Sequence, residues 1–321
     1  MHDIIALGEL LIDFTPESAP GADKVLLSQN PGGAPGNVMA AAAKLGANTA
    51  LISRVGADAF GDFLVEQVTK HGVCPHYITR ETSCHTTLAF VHLDSKGDRS
   101  FSFLRSPGAD VLLDVSHLPT QAISATPIFH FGGVSLTHDP ARRATLRALN
   151  LAHDQGKLVS FDPNWRPSLW SDHAEARTLL RRVLPGVDVI KVSDEELPLM
   201  TDCDDLEEGS LRLMKAGVKL VLVSRGEQGA FYRLGSLTGA LPGYRVHTVD
   251  TTGAGDAFMG AVLYRLRGMA PTSLCRLDQA ALEDIVDFAN AAGALATTKT
   301  GAIAIMPTLA DIAALRGKEV E

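Results

Sequence analysis

The sequence predicts an α/β protein: a three-layer α/β/α domain with a mostly parallel central sheet and a small inserted β lid. Three observations predict it. Short apolar runs alternate with helix-forming stretches, the order that builds a parallel sheet with crossover helices. Polar and glycine residues follow the strand-like runs, at Asp13, Gly132–Gly133, Asp162–Asn164, Ser193–Glu196 and Ser224–Gly226. One stretch, 84–105, departs from this rhythm and alternates on both sides of a polar turn at 94–98, as a hairpin does.

The elements follow in order. Residues 4–7, IIAL, end in Gly-Glu and suit a buried strand. Residues 37–45 are rich in Ala, with Asn37 as the candidate N-cap of a helix. A strand over 48–56 and a helix over 60–72, ended by Gly72, complete the first β-α-β-α run. The hairpin of 84–105 interrupts it and reads as a lid, to which the Pro-, Gly- and Ser-rich stretch 14–30 would contribute. The rhythm resumes with strands over 127–133, 158–164, 188–193 and 219–226. Helices are expected over 141–156, 257–268 and 281–299. No repeat, low-complexity tract or long linker divides the 321 residues, so one domain over 1–321 is expected, its lid formed by about 14–30 and 84–110.

Composition narrows the function. A net charge of −8 argues against a general nucleic-acid binder. Four scattered cysteines, Cys74, Cys84, Cys203 and Cys275, form no C-x-x-C pair and read as reduced thiols of a cytoplasmic protein. The opening MHDIIALGELLIDF has an acid at Asp3 and no basic segment before its apolar run, so it reads as a strand. No apolar run approaches the ~20 residues of a membrane helix.

Ligands of open α/β sheets sit at the carboxyl ends of the strands, so the polar residues there matter most. DTTGAGDAFMGAVL, 250–263, places Asp256 directly behind Gly253-Ala254-Gly255 at an expected helix start. Helix starts attract anions, and glycines admit a ligand to the backbone. Acids are also common in first turns for the dipole alone, so this segment by itself leaves both readings open. PGGAPGN, 31–37, offers Gly32, Gly33 and Asn37 before the first helix. DPNWR, 162–166, sets an acid, an amide and a cation just past a strand. KVSDEE, 191–196, ends in Glu196, an acid suited to a hydrated Mg²⁺. VSRGEQGA, 223–230, suits a nucleotide-facing loop. There is no P-loop motif, no H-E-x-x-H and no early G-x-G-x-x-G, which argues against a P-loop enzyme, a zincin and an NAD-dependent dehydrogenase. GVSLT, 133–137, does not match the serine-hydrolase elbow.

Together, GGAPGN at 32–37, continuing through KLGANTALISRVGADAFGDFL, and DTTGAGDAFMGAVL resemble the ribokinase, or PfkB, family of carbohydrate kinases. GDRSFSFLRSPGAD, DPNWRPSLW and KVSDEE are most similar to its fructokinases. The resemblance spans nearly the whole chain. It implies a ribokinase-like fold and ATP-dependent phosphorylation of a sugar hydroxyl, with fructose giving fructose 6-phosphate. 2-keto-3-deoxygluconate kinase and aminoimidazole riboside kinase are the alternatives within the family. A binding-only regulator on the same scaffold would have lost Asp256, which is intact.

The resemblance also implies roles. Asp256 would accept the proton of the sugar hydroxyl, and the N–H groups of Gly253, Ala254 and Gly255 would form an anion hole. Asp13, Gly32, Gly33 and Asn37 would bind the sugar, with Arg105 from the lid and Asp162 with Arg166 adding contacts. Lys191, Ser224, Gly226 and Gly229 would lie along ATP, with Asn290 near the adenine. Glu196 would orient Mg²⁺ through water, although many members carry N-x-x-E where this chain has Ser193-x-x-Glu196. Asp250 and Thr252, with backbone near Gly301, would hold a monovalent cation, K⁺. Expected partners are the sugar and ATP, not nucleic acid or membrane. An apolar lid face left exposed would be buried in a homodimer.

Overall fold

A computed structural model describes residues 1–17, 26–93 and 99–318. The strands are β1 (Ile4–Leu7), β2 (Leu11–Pro16), β3 (Leu27–Gly32), β4 (Thr49–Gly56), β5 (Val73–Cys74), β6 (Ile78–Glu81), β7 (Leu88–Leu93), β8 (Arg99–Leu104), β9 (Ile128–Gly132), β10 (Leu158–Asp162), β11 (Val189–Ser193), β12 (Leu220–Ser224), β13 (Ala230–Leu234) and β14 (Leu237–Leu241). The helices are α1 (Ala34–Lys44), α2 (Ala59–Lys70), α3 (Thr120–Ala125), α4 (Ala141–Asp154), α5 (His173–Arg182), α6 (Leu197–Thr201), α7 (Leu206–Lys215), α8 (Ala254–Leu266), α9 (Gln279–Ala296) and α10 (Leu309–Arg316).

Among the described residues, ten strands form one sheet, in the order β14-β13-β12-β11-β10-β9-β1-β4-β5, with β6 paired to β4. Neighbours from β12 to β5 run parallel, and β13 and β14 return antiparallel. The strand period of two sorts the core into two layers. Ile4 and Ala6 of β1 pack with Val38 of α1, Met259 of α8 and Leu282 of α9. Ile5 and Leu7 pack with Phe129, Phe161, Ala144 of α4 and Leu180 of α5. Strands buried on both faces read as continuous apolar runs, which is why the parallel strands were legible. The expected mostly parallel sheet between helical layers is what the chain forms.

The remaining strands form a second sheet, β3-β2-β7-β8. The β7–β8 pair is antiparallel and β2 joins β7 in parallel. The pair β2 and β3 and the distant pair β7 and β8 thus share one small sheet. The expected turn at 94–98, and residues 18–25 of the 14–30 stretch, lie outside the described residues.

Three expected boundaries are corrected. Helix α1 starts three residues before the expected cap. Gly33 is the N-cap, at φ 107, Pro35 lies in the first turn, and Asn37 is buried inside the helix. Helix α8 starts at Ala254, so Asp256 is its third residue. Strand β10 ends at Asp162 because Pro163 has no N–H to continue the ladder. Helices α1 and α8 then touch at backbone distance: a Cβ on Gly260 would lie 2.5 Å from Ala41 Cβ and 2.8 Å from the Val38 carbonyl. That contact brings the starts of the two helices together.

Candidate active site

The starts of α1 and α8 meet at the carboxyl edge of the parallel strands. Gly253 caps α8 at φ 77, a left-handed conformation that favours glycine, and its carbonyl accepts the Ala257 N–H at 2.8 Å. Asp256 follows in the first turn. Its Oδ2 accepts a hydrogen bond from Asn37 Nδ2 at 2.7 Å, across 219 residues of chain. Burial pushes the Asp256 carboxyl up to about 6; Asn37 opposes the shift, Asp162 adds to it, and Lys191 and Arg166 oppose it. Gly253, Gly255 and Asp256 line a cleft of about 360 Å³, together with Asp13, Gly33 and Asn37.

Strand β2 brings Asp13 to the same cleft. Gly32, on the paired strand β3, leaves room for its carboxylate: a Cβ there would meet Asp13 Oδ2 at 2.1 Å. Burial raises the Asp13 carboxyl to about 7, Arg166 opposes that shift, and the Asp256 charge adds to it. Gly33 sits where a Cβ would strike the Glu9 carbonyl at 2.4 Å, so only glycine lets the chain enter α1 there.

The loop after β10 supplies the cation. Arg166 lines the cleft, and its guanidinium lies 5.7 Å from the Phe101 ring centroid on β8, which links the small sheet to the large one. Asp162 is nearly inaccessible and turned inward. Its Oδ1 accepts the Asn164 N–H at 3.0 Å and its Oδ2 accepts Lys191 Nζ at 3.0 Å. Asp162 was expected at the sugar; in this structure its carboxylate holds Lys191. Lys191 in turn presents its ammonium to α8, where a Cβ on Gly255 would come within 2.9 Å of Nζ. Burial works against the Lys191 charge, but the Asp162 and Glu196 carboxylates outweigh it and hold the amine above its usual range. Glu196 borders the cleft too. Its Oε1 accepts the Trp165 N–H at 2.6 Å and its Oε2 the Ser193 N–H at 2.8 Å.

Arg105 is likewise paired within the protein. It was expected at the substrate. It lies past the end of β8, 8% exposed, with Nε on Asp110 Oδ2 at 2.9 Å, one terminal nitrogen on Thr137 Oγ1 at 2.8 Å and the other on Asp110 at 2.7 Å. A guanidinium neutralised and bonded in this way braces the turn after the small sheet.

Of the expected nucleotide residues Lys191 lines the cleft, whereas Ser224, Gly226, Gly229 and Asn290 lie outside its lining. Ser224 is the register partner of Ser193, which lines it. Gly226 opens a helical turn that ends at Gly229, before β13. Asn290 on α9 donates to the carbonyls of Leu241 and Pro242 at 3.3 and 3.2 Å, which anchors the chain leaving β14. Asp250 Oδ1 accepts the Thr252 N–H at 2.7 Å; both residues border a neighbouring cavity with Gly301 and Asp13. Phe101, Phe103 and Glu9 also line the main cleft, and sequence reasoning missed all three. Glu9 carried a usable signal, being a charged residue just after a buried strand.

A family model of the pfkB family carbohydrate kinase matches residues 1–309. The chain belongs to the pfkB family of carbohydrate kinases. It is 41% identical over 312 residues to Fructokinase-1 of Oryza sativa subsp. japonica, covering 96% of each chain. The fructokinase of Xylella fastidiosa with bound ATP matches it in structure with a TM-score of 0.91 and 34% identity, over 99% of each chain. The fructokinase of Vibrio cholerae O395, in a fructose, ADP and calcium ion bound form, matches with a TM-score of 0.87 and 33% identity, again over 99% of each. The expected family and fold are both borne out. As a member of this family the protein is a carbohydrate kinase, and its cleft lies where the family's signature segments converge.

Proposed function

We propose that this kinase transfers the terminal phosphoryl group of ATP to the 6-hydroxyl of fructose. The observation that carries the reading is Asp256: a carboxylate bonded to Asn37, in the first turn of α8, on the wall of the cleft. Its raised pKa suits a general base working near neutral pH. The hydroxyl proton passes to Asp256, the oxygen forms its bond to phosphorus, and the bond from phosphorus to the bridging oxygen of ADP breaks. On this reading the N–H groups of Gly253, Ala254 and Gly255 and the Lys191 ammonium steady the charge on the moving phosphoryl group. Asp13, Gly32, Gly33 and Asn37 hold the sugar, with Arg166 closing its far side. The likeness to fructokinases, including one that binds fructose, supports this substrate over others of the family.

On this reading Ser224, Gly226, Gly229 and the segment anchored by Asn290 form the nucleotide side. The donor set fits Mg²⁺ in its outer sphere: both Glu196 oxygens accept one backbone N–H and keep a lone pair for a metal-bound water. Mg²⁺ neutralises phosphate charge when bound. The hard oxygen donors of Asp250 and the backbone near Thr252 and Gly301 fit K⁺. The small sheet is the lid of a single domain: Phe101 and Phe103 line the cleft from β8, and closure over the sugar excludes water from ATP. Large apolar side chains stay exposed on its two edge strands, Leu27 on β3 and Leu104 on β8, which supports a homodimer through the lid. Four free thiols support a cytoplasmic setting.

The test is ADP release with Mg-ATP and K⁺ over fructose, ribose, 2-keto-3-deoxygluconate, glucose and a riboside. Turnover strongest on fructose is expected. Strongest turnover on another sugar would overturn the substrate and keep the kinase.

A further inference from the structure

Glu9 stands on the wall of the cleft, only 3% exposed. Its Oε1 accepts the Ala34 N–H at 3.0 Å, at the first turn of α1. Its Oε2 is buried and meets no hydrogen-bond partner. Such an atom is costly to leave bare, because it has lost water and gained nothing. The neighbouring cation does not satisfy it: Arg105 directs its donors to Asp110, Thr137 and the Val134 carbonyl. Burial pushes the Glu9 carboxyl up to about 7; its own backbone N–H opposes the shift, Asp110 adds to it, and Arg105 and the Ala34 N–H oppose it.

Asn37 repeats the pattern one turn into α1. Its Nδ2 holds Asp256 while its Oδ1 is buried without a partner. Two orphaned acceptors therefore mark one wall of one cleft, and each belongs to a side chain whose other atom is fixed. What they lack is a donor held against that wall. A sugar brings several O–H donors, and a site built with unpaired polar atoms rejects analogues that lack the matching group.

We propose that Glu9 is a specificity-determining residue of this kinase, whose Oε2 accepts a sugar hydroxyl other than the one phosphorylated. The inference rests on the fructokinase reading above and adds a contact to it. Glu9 has a second duty: through Ala34 it fixes the start of the helix that carries Asn37 to Asp256. The two duties separate experimentally, because only the sugar contact depends on a particular hydroxyl.

The experiment measures kcat/KM for fructose and a series of monodeoxyfructoses in the natural protein, Glu9→Gln and Glu9→Ala, with KM for ATP and Tm alongside. In the natural protein one deoxy analogue is expected to lose about 10–100-fold relative to fructose, the worth of a hydrogen bond to a charged group. In Glu9→Ala that penalty shrinks to about threefold or less, and Glu9→Gln falls between, while KM for ATP stays within about twofold in both variants. Glu9→Gln keeps an acceptor for Ala34 and decides the matter alone if the Ala variant does not fold. An unchanged penalty for every deoxy analogue in the variants would overturn the inference and leave fructose as the substrate. Failure of the natural protein to phosphorylate fructose would overturn the substrate reading, and this contact with it.

Discussion

As the proposed base Asp256 would act only as a carboxylate, so its environment sets a pH limit. With the carboxyl pushed up to about 6, the ionised fraction falls tenfold per pH unit below that value. The expected kcat/KM profile for fructose falls below pH about 7, where Asp13 takes up its proton, and steepens below pH about 6, where Asp256 does; a profile level down to pH 4.5 would remove Asp256 as the base. Asp256→Asn is expected to fold and bind ATP yet lose roughly 10²–10⁴-fold in turnover, read by single-turnover kinetics. Lys191 and Asp162 predict a different failure. Both are nearly inaccessible, at 9% and 2%. Lys191→Met leaves the Asp162 charge unpaired and is expected to cost about 3–5 kcal/mol by denaturant titration. The double variant Lys191→Met/Asp162→Asn should recover part of that loss. At this scale the sequence was legible where a motif fixes a residue's direction. Asp256 sits at a set position after a glycine turn, so its place followed. Arg105 had no such frame: whether it faces the cleft or Asp110, five residues on, depends on how the chain turns after β8.

The starts of helices carry much of the site, and they respond to glycine replacement unequally. Gly33 and Gly253 both have positive φ, at 107° and 77°. A Cβ at Gly253 meets nothing nearer than 3.4 Å, so Gly253→Ala carries mainly the backbone cost, about 1–2 kcal/mol. At Gly33 the Cβ would also drive into the Glu9 carbonyl, adding strain of the order of 1–3 kcal/mol and displacing α1. Gly33→Ala should therefore raise KM for the sugar far more than Gly253→Ala does, at equal expression; equal KM values would contradict the clamp at Gly33. Several elements went unassigned in the sequence although their caps were present. Asp172 accepts N–H groups at the start of α5, Asp205 at α7, and Thr308 with Asp311 forms a capping box at α10. Those helices lie under amphipathic, mixed sequence, whereas the buried parallel strands announced themselves as apolar runs. Strands β2 and β3 were harder still, because a half-covered sheet built from distant segments leaves no local periodicity to read.

For the molecule as a whole, the cleft stores electrostatic cost. Glu9, Asp13 and Asp256 all have folded-state pKa values above the ordinary carboxylate range. The native state therefore binds these protons more tightly than the unfolded chain, and their contribution to stability is lost as pH rises from about 4 through 6–7. His130 runs the other way: burial, with Lys191 nearby, holds it down to about 3, so its contribution is present above about 6.5 and lost below. Asp13→Asn removes one buried charge, and the variant is expected to melt about 2–5 °C above the natural protein at pH 8, by calorimetry, while failing on fructose. A lower melting temperature at pH 8 would show that Arg166 outweighs the burial of Asp13. One feature of the fold bears on how such an enzyme diversifies. Because α1 and α8 meet at Gly260 with no room for a side chain, the spacing of Asn37 and Asp256 is set by backbone against backbone. The Asn37–Asp256 pair is thus inherited as a fixed block. Strands β2, β3, β7 and β8 are joined to it by short connections, so a lineage can exchange them to accept a new sugar without recalibrating the chemistry.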